Sequence, residues 1–159
     1  MAAAGDAACA APAPASARVT NTSEVTSLLQ EAVRILDAVG LIVWVWDSQA
    51  NELRPALAHG YSDKVLAQLP TVKRDTDNAT AAAFRLAQPC VVDGSDRASG
   101  ALVAPLMTPS GCAGVLAIEV QHGRERAGSV RALVTIFAAQ LARWIGAEQP
   151  AELSDRRLA

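Results

Sequence analysis

Two amphipathic helical segments frame the chain, and they constrain its fold more than any other feature. Apolar side chains recur with i, i+3, i+4, i+7 spacing over residues 22–39, and the same spacing returns over residues 129–145. Asn21 is predicted to cap the first helix, Gly40 to stop it, and Gly146 to close the second. Each helix therefore needs a hydrophobic partner for its apolar stripe.

The sequence between these helices is typical of β-strands. The segment "LIVWVWD" (41–47) is rich in β-branched and aromatic residues, and "ELRPALAHG" (52–60) follows it as a second strand. Pro55 indicates that this second strand is bulged or lies at an edge. Further strands are predicted at 90–93 and in the hairpin "GALVAPLMTPSGCAGVLAIEV" (100–120).

Burial predicts how these elements are arranged. The only surface large enough for both long helices is one side of an antiparallel sheet, which makes the fold α+β. Two short helices, one capped by Ser62 and one by Asp77 or Asn78, cover the other side only in part. The uncovered area leaves room for a ligand pocket.

Composition and charge narrow the range of partners. The chain has 159 residues and a net charge of -2, without the basic stripe that nucleic-acid binding requires. Its apolar runs are shorter than the ~18 residues of a membrane span, so no membrane partner is predicted. Its three cysteines form no disulfide or zinc pattern and favour a reducing cytoplasm.

The two ends of the chain differ in composition from its centre. Residues 1–20 are rich in alanine and proline and are predicted to be a disordered lead. Residues 21–147 form the predicted domain, and residues 148–159 a polar tail.

The strand at 41–47 supplies the first candidate site residues. Strand alternation places Val43 and Val45 on one side and Trp44 and Trp46 on the other. Two tryptophans at i and i+2 can stack a flat ligand or cage a cation. Phe84 is a further candidate ligand-binding residue of the same pocket. The alternative is that they, with Phe84, fill a second core.

Two polar residues complete the candidate site. Glu119 leaves the last strand beside small residues, where it either orients an amine or guanidine-like ligand group or is solvated near His122 and Arg124. Asn78 stands at a helix start, where free N–H groups bind anions or carbonyls, although helix capping explains it equally.

The order of these elements resembles the GAF domain, a sensory module found in bacterial signalling proteins. The resemblance covers residues 24–146 and is carried by "GLIVWVWDSQANELRPALAHGYS", "NATAAAFRLAQPCVV" and the last hairpin. It implies a profilin-like antiparallel sheet of five to six strands, with the terminal helices on one face. Short helices and loops then cover a ligand cavity on the other face.

Catalytic motifs are missing from the sequence. One GAF branch reduces free methionine sulfoxide with cysteines, but the corresponding stretches "DTDNATAAAF" and "DGSDRASG" contain none, and Ala117 replaces an acid of that branch. No metal-binding or phosphate-binding motif is present, and no cofactor is identified. The sequence therefore predicts that the chain is not an enzyme.

Three functions follow in order of preference. The first is a cytoplasmic regulatory domain that binds a small molecule on the open face and signals to an effector through its terminal helices. The second is a ligand-free GAF-like module for docking or homodimerisation through those helices. The third, remote, is a thiol-dependent methionine sulfoxide reductase.

Overall fold

The computed structural model describes residues 15–147, which are organised around a six-stranded antiparallel sheet of order β4-β3-β2-β7-β6-β5. A separate two-stranded ribbon joins β1 and β8. The elements are β1 (Ala17–Val19), α1 (Thr22–Leu36), β2 (Gly40–Asp47), β3 (Glu52–His59), α2 (Asp63–Gln68), β4 (Val72–Lys73), α3 (Ala79–Leu86), β5 (Cys90–Val92), β6 (Gly100–Thr108), β7 (Gly111–Val120), α4 (Gly128–Ala142) and β8 (Ile145–Ala147).

The two long helices lie on the same side of the sheet, which confirms the prediction from burial. Helix α1 packs against β2 and β3, α4 packs against β6 and β7, and the helices contact each other. Their apolar stripes meet a core that includes Val43, Leu116 and Ile118, all of them fully buried. The opposite side of the sheet is consequently free of both long helices.

The helix ends differ from the prediction in two places. Asn21 caps α1 through a bond from the Glu24 N–H, but Asp37, at φ 49°, makes the left-handed stop in place of Gly40. Helix α4 ends at Ala142, so Trp144 lies outside it and Ile145 begins β8. The apolar spacing continues past the end of the helix because Ile145 is buried as a residue of β8 and not as a residue of α4.

The two-stranded ribbon shows that the predicted disordered lead (residues 1–20) extends too far along the chain. Residues 17–19 were expected to be disordered, but they pair with β8 in the register Ala17↔Ala147 and Val19↔Ile145. Ala17 is only 2% exposed, because small residues fit tightly against the core here. Residues 1–14 and 148–159 lie outside the described residues, so the rest of the lead and the tail remain predictions.

Pro55 lies both at a bulge and at a locally unpaired edge of β3, the two positions that a proline within a strand predicts. The β2–β3 register shifts between Val43 and Trp44, opposite Leu57 and Pro55. Strand β4 pairs with β3 only at residues 52 and 53. Pro55 therefore occupies a bulged part of β3 beyond its pairing with β4, where the missing N–H breaks no ladder bond to that strand.

Candidate functional site

Three of the five predicted site residues, Trp44, Trp46 and Glu119, lie on the side of the sheet away from the long helices. The other two, Asn78 and Phe84, belong to the cap and the body of α3, which covers part of that side. Trp44 and Trp46 belong to a second apolar cluster that excludes Val43 and Val45, as strand alternation predicts. This side divides into two halves with different surfaces.

The first half, which we call the closed half, is a packed core beneath α3. Its members are Trp46, Leu53, Ala83, Phe84 and Val115, each at most 5% exposed. The rings of Trp46 and Phe84 stack with centroids 4.5 Å apart and an interplanar angle of 26°. These two predicted ligand residues therefore pack against each other.

The second half, which we call the open half, consists of small or partly exposed residues at the other end of the same strands. Its members are Ile42, Ala58, Ala101, Ala117 and Glu119. The strand register brings them together, because Ile42 pairs with both Ala58 and Ala117, and Ala101 pairs with Glu119. All five of these residues are partly exposed.

Glu119 is bonded to a residue that the predicted site does not include. The Tyr61 hydroxyl donates a short hydrogen bond to Glu119 Oε2. The Tyr61 ring lies directly over Gly40, where a Cβ would come within 2.6 Å of the ring carbons Cε2 and Cζ. Burial first, and then the Glu119 carboxylate, raise the pKa of Tyr61 well above its ordinary value.

Glu119 is bonded to Tyr61 and not to its sequence neighbours His122 and Arg124. Glu119 is only partly exposed, His122 lies 3.8 Å from Glu125, and Arg124 pairs with Asp37 at 3.3 Å. The sequence carries one signal for the true arrangement. Tyr61 follows the end of β3, and Gly40, the cross-strand neighbour of Glu119, provides space for an aromatic ring.

Trp44 stands between the two halves and holds an unused hydrogen-bond donor. Its side chain is 6% exposed, and within residues 15–147 no acceptor lies within hydrogen-bonding distance of the buried indole Nε1. Leaving a buried donor unpaired costs about 1–3 kcal/mol. A ligand acceptor that reached this atom would recover that energy.

Asn78 acts as a helix cap. Its side-chain oxygen accepts a 2.8 Å hydrogen bond from the Ala81 N–H at the start of α3. The amide oxygen is therefore already used, and what it stabilises is the helix over the closed half.

Cys90 and Cys112, the cysteines within the described residues, are free thiols and partly buried. Cys112 Sγ lies 3.3 Å from the Gly114 carbonyl, and burial raises the pKa of this thiol, which lowers its thiolate fraction. In the part of the chain that the structure describes, no three potential metal ligands cluster. The same residues include no helix long and apolar enough to cross a membrane.

The structure thus brings Trp44, Trp46 and Phe84 together and places Glu119 apart from them at the far end of the open half. A groove lies on the other side of the sheet, between α4 and β6. It has a volume of about 310 Å³ and is lined by Leu102, Ala104, Val134 and Arg131, among others. None of the five predicted site residues borders it.

Comparison with solved structures finds the same architecture in the GAF domains of other proteins. The second GAF domain of DevS from Mycobacterium smegmatis is 29% identical, with a TM-score of 0.64 over 87% of this chain and 100% of that chain. The GAF domain of an Acinetobacter phosphoenolpyruvate-protein phosphotransferase is 10% identical, with a TM-score of 0.61 over 77% of this chain and 85% of that one.

One similar fold belongs to an enzyme. The free methionine-R-sulfoxide reductase of Neisseria meningitidis is 16% identical, with a TM-score of 0.61 over 87% of this chain and 83% of the reductase. At that identity the likeness concerns the fold alone. A search of curated proteins finds no significant match. The family model of the GAF domain matches residues 25–146, and the chain therefore belongs to the GAF domain family.

Proposed function

We propose that this chain is a non-catalytic, cytoplasmic regulatory domain that binds a small organic molecule over the open half. The observation that carries the proposal is the unpaired indole N–H of Trp44, which shares one face of the sheet with the partly exposed open half. GAF domains are generally regulatory modules, and their presence in signalling proteins supports the same reading.

The open half favours a ligand with two kinds of polar group. A carbonyl or other acceptor would pair with Trp44 Nε1, and an amine or guanidinium would compete with the Tyr61 hydroxyl for Glu119. The ligand body would rest on Ile42 and Ala117, which are apolar. Binding would displace Tyr61, and this movement is the signal we expect to reach the long helices.

A binding screen tests this proposal. Purified protein is examined by native mass spectrometry for a carried-over ligand, and a library of small amides and amines is screened by thermal shift. Trp44→Phe removes the N–H but keeps an aromatic ring, and Glu119→Gln removes the charge. Each should weaken a true ligand about 5- to 30-fold, corresponding to one lost hydrogen bond.

Trp144→Phe is the matched control, because Trp144 follows α4 and packs against the core on the side of the long helices. It should leave the affinity unchanged. The proposal fails if no compound binds, or if every binder tolerates both Trp44→Phe and Glu119→Gln.

The packing of the closed half favours a second function, docking without a ligand. Trp46 and Phe84 are 1% and 5% exposed, so no guest fits between them in this arrangement. The long helices meanwhile leave Ile35 44% exposed and Ile136 52% exposed. In this alternative the helices bind an effector or a second copy of the chain.

Analytical ultracentrifugation of the wild type and of Ile136→Lys separates the alternatives. A dimer that Ile136→Lys dissociates, together with a screen that yields no binder, favours docking. A monomer at all accessible concentrations removes the homodimer form of this alternative.

A further inference from the structure

A fully buried carboxylate lies outside the candidate site. Glu125 belongs to a 3-10 turn (Arg124–Arg126) that comes directly before α4, and its side chain is 0% exposed. Its Oε1 accepts a 3.0 Å hydrogen bond from the Gly94 N–H, and Oε2 finds no partner among the described residues. Burying a carboxylate costs free energy unless it is paired, so we infer that Glu125 has a specific role in this structure.

The carboxylate holds the loop between β5 and β6 (93–99). Gly94 is the second residue of this loop. Gly100, which follows the loop, packs against the Glu125 carboxyl group so closely that any Cβ would clash with it. Backbone donors, the Gly94 N–H first, hold the pKa of Glu125 below its usual value, which keeps the group charged. Arg126 adds an exposed ion pair to Asp93 at 2.9 Å.

The same loop is one residue away from the open half. Gly100 leads into Ala101, whose cross-strand partner is Glu119. Glu119 is the acceptor for Tyr61. A continuous set of contacts therefore runs from Tyr61 through Glu119, Ala101 and Gly100 to Glu125, and from there into α4.

We propose that Glu125 is the positioning residue that couples the open half of the sheet to the start of α4. It does so by fixing the β5–β6 loop to the turn from which the helix begins. Its importance for signalling rests on the proposed function, but the coupling itself belongs to the chain without a ligand.

The test uses Tyr61→Phe as a substitute for ligand binding, because it removes the hydroxyl from Glu119 and keeps the ring. Backbone amide shifts are recorded by NMR for the wild type, Tyr61→Phe, Glu125→Gln and the double variant. Tyr61→Phe should shift amides at residues 128–131 in the wild-type background. In the Glu125→Gln background this response should fall at least threefold, while the response at Gly40 persists.

Arg126→Gln is the matched control, since it removes a charge that contacts the same loop from the protein surface. It should leave the response at residues 128–131 in place. If Glu125→Gln does not fold, Gly100→Ala takes its part, because it displaces the carboxylate without changing its charge.

Two results overturn the proposal. One is a response in α4 that is undiminished in Glu125→Gln or Gly100→Ala, which would show that the covalent path through residues 120–127 is sufficient. The other is the absence of any response in α4 to Tyr61→Phe. A failed ligand screen with an intact coupling result would instead contradict only the proposed function.

Discussion

The closed and open halves lie on the same strands, yet they are stabilised in opposite ways. In the closed half Trp46 and Phe84 stack beneath α3, and the apolar contacts are satisfied within the chain. In the open half three of the five members are alanines, and Glu119 is bonded to the Tyr61 hydroxyl. The comparison teaches that one end of this face contributes to the core, whereas the other end keeps its side chains partly exposed.

The largest expected difference is between truncations in the two halves. Trp46→Ala removes a fully buried ring and should lower the free energy of unfolding by about 3–5 kcal/mol. Ile42→Ala, in the partly exposed open half, should cost less than about 2 kcal/mol. Urea unfolding measures both, and similar losses would mean that the two halves are not energetically distinct.

A smaller effect is expected from Gly40→Ala, which tests the contact between Tyr61 and the sheet. The new methyl group would overlap the Tyr61 ring, so we expect a loss of about 1–3 kcal/mol. Gly128→Ala is the matched control, because a Cβ at Gly128 meets no atom of the described residues within 4 Å. It should be close to neutral.

The same variant should change the titration of Tyr61. The chain contains one tyrosine, so absorbance at 295 nm follows Tyr61 alone. Because its pKa is raised in the folded state, stabilisation by the neutral hydroxyl is complete below pH of about 10 and is lost as the pH rises further. Gly40→Ala should move the titration towards pH 10. An unchanged titration would show that Tyr61 keeps its place without Gly40.

The smallest expected effects concern the caps of the two short helices. Asn78→Ala should cost about 1 kcal/mol, because α3 buries Ala81, Ala83 and Phe84 in the closed half. Ser62→Ala removes the same type of bond from α2, which buries no side chain, and should cost clearly less in global unfolding. Equal losses would show that α2 is as firmly attached as α3.

The features that the sequence predicts correctly are those that depend on local patterns, such as strand alternation and helix caps. Strand alternation alone assigns Trp44 and Trp46 to the side away from the helices, because neighbouring residues in a strand face opposite sides. Asn21, Ser62 and Asn78 are recognisable caps because each comes directly before an apolar helical pattern. Five of the sheet strands were predicted; β4 has only two residues and carries no pattern.

The sequence did not predict the contacts between segments that are distant along the chain. Glu125 stands in "GRERAG", a sequence typical of a solvated charged turn. Its burial depends on Gly94 in the β5–β6 loop and on Gly100 at the start of β6. Tyr61 follows a strand in the same way as many exposed loop residues, and only the β2–β7 register brings Gly40 beside Glu119. The pairing of β1 with β8 likewise joins two short segments that show no strand pattern individually.

The ribbon of β1 and β8 has a mechanical consequence. Ala17 and Ala147 form its outer pair, and the inner pair, Val19 and Ile145, leads into the domain. Tension that draws residues 17 and 147 apart would therefore unzip the two strands one pair at a time, instead of shearing them together. The ribbon should yield at low load, before force reaches the sheet.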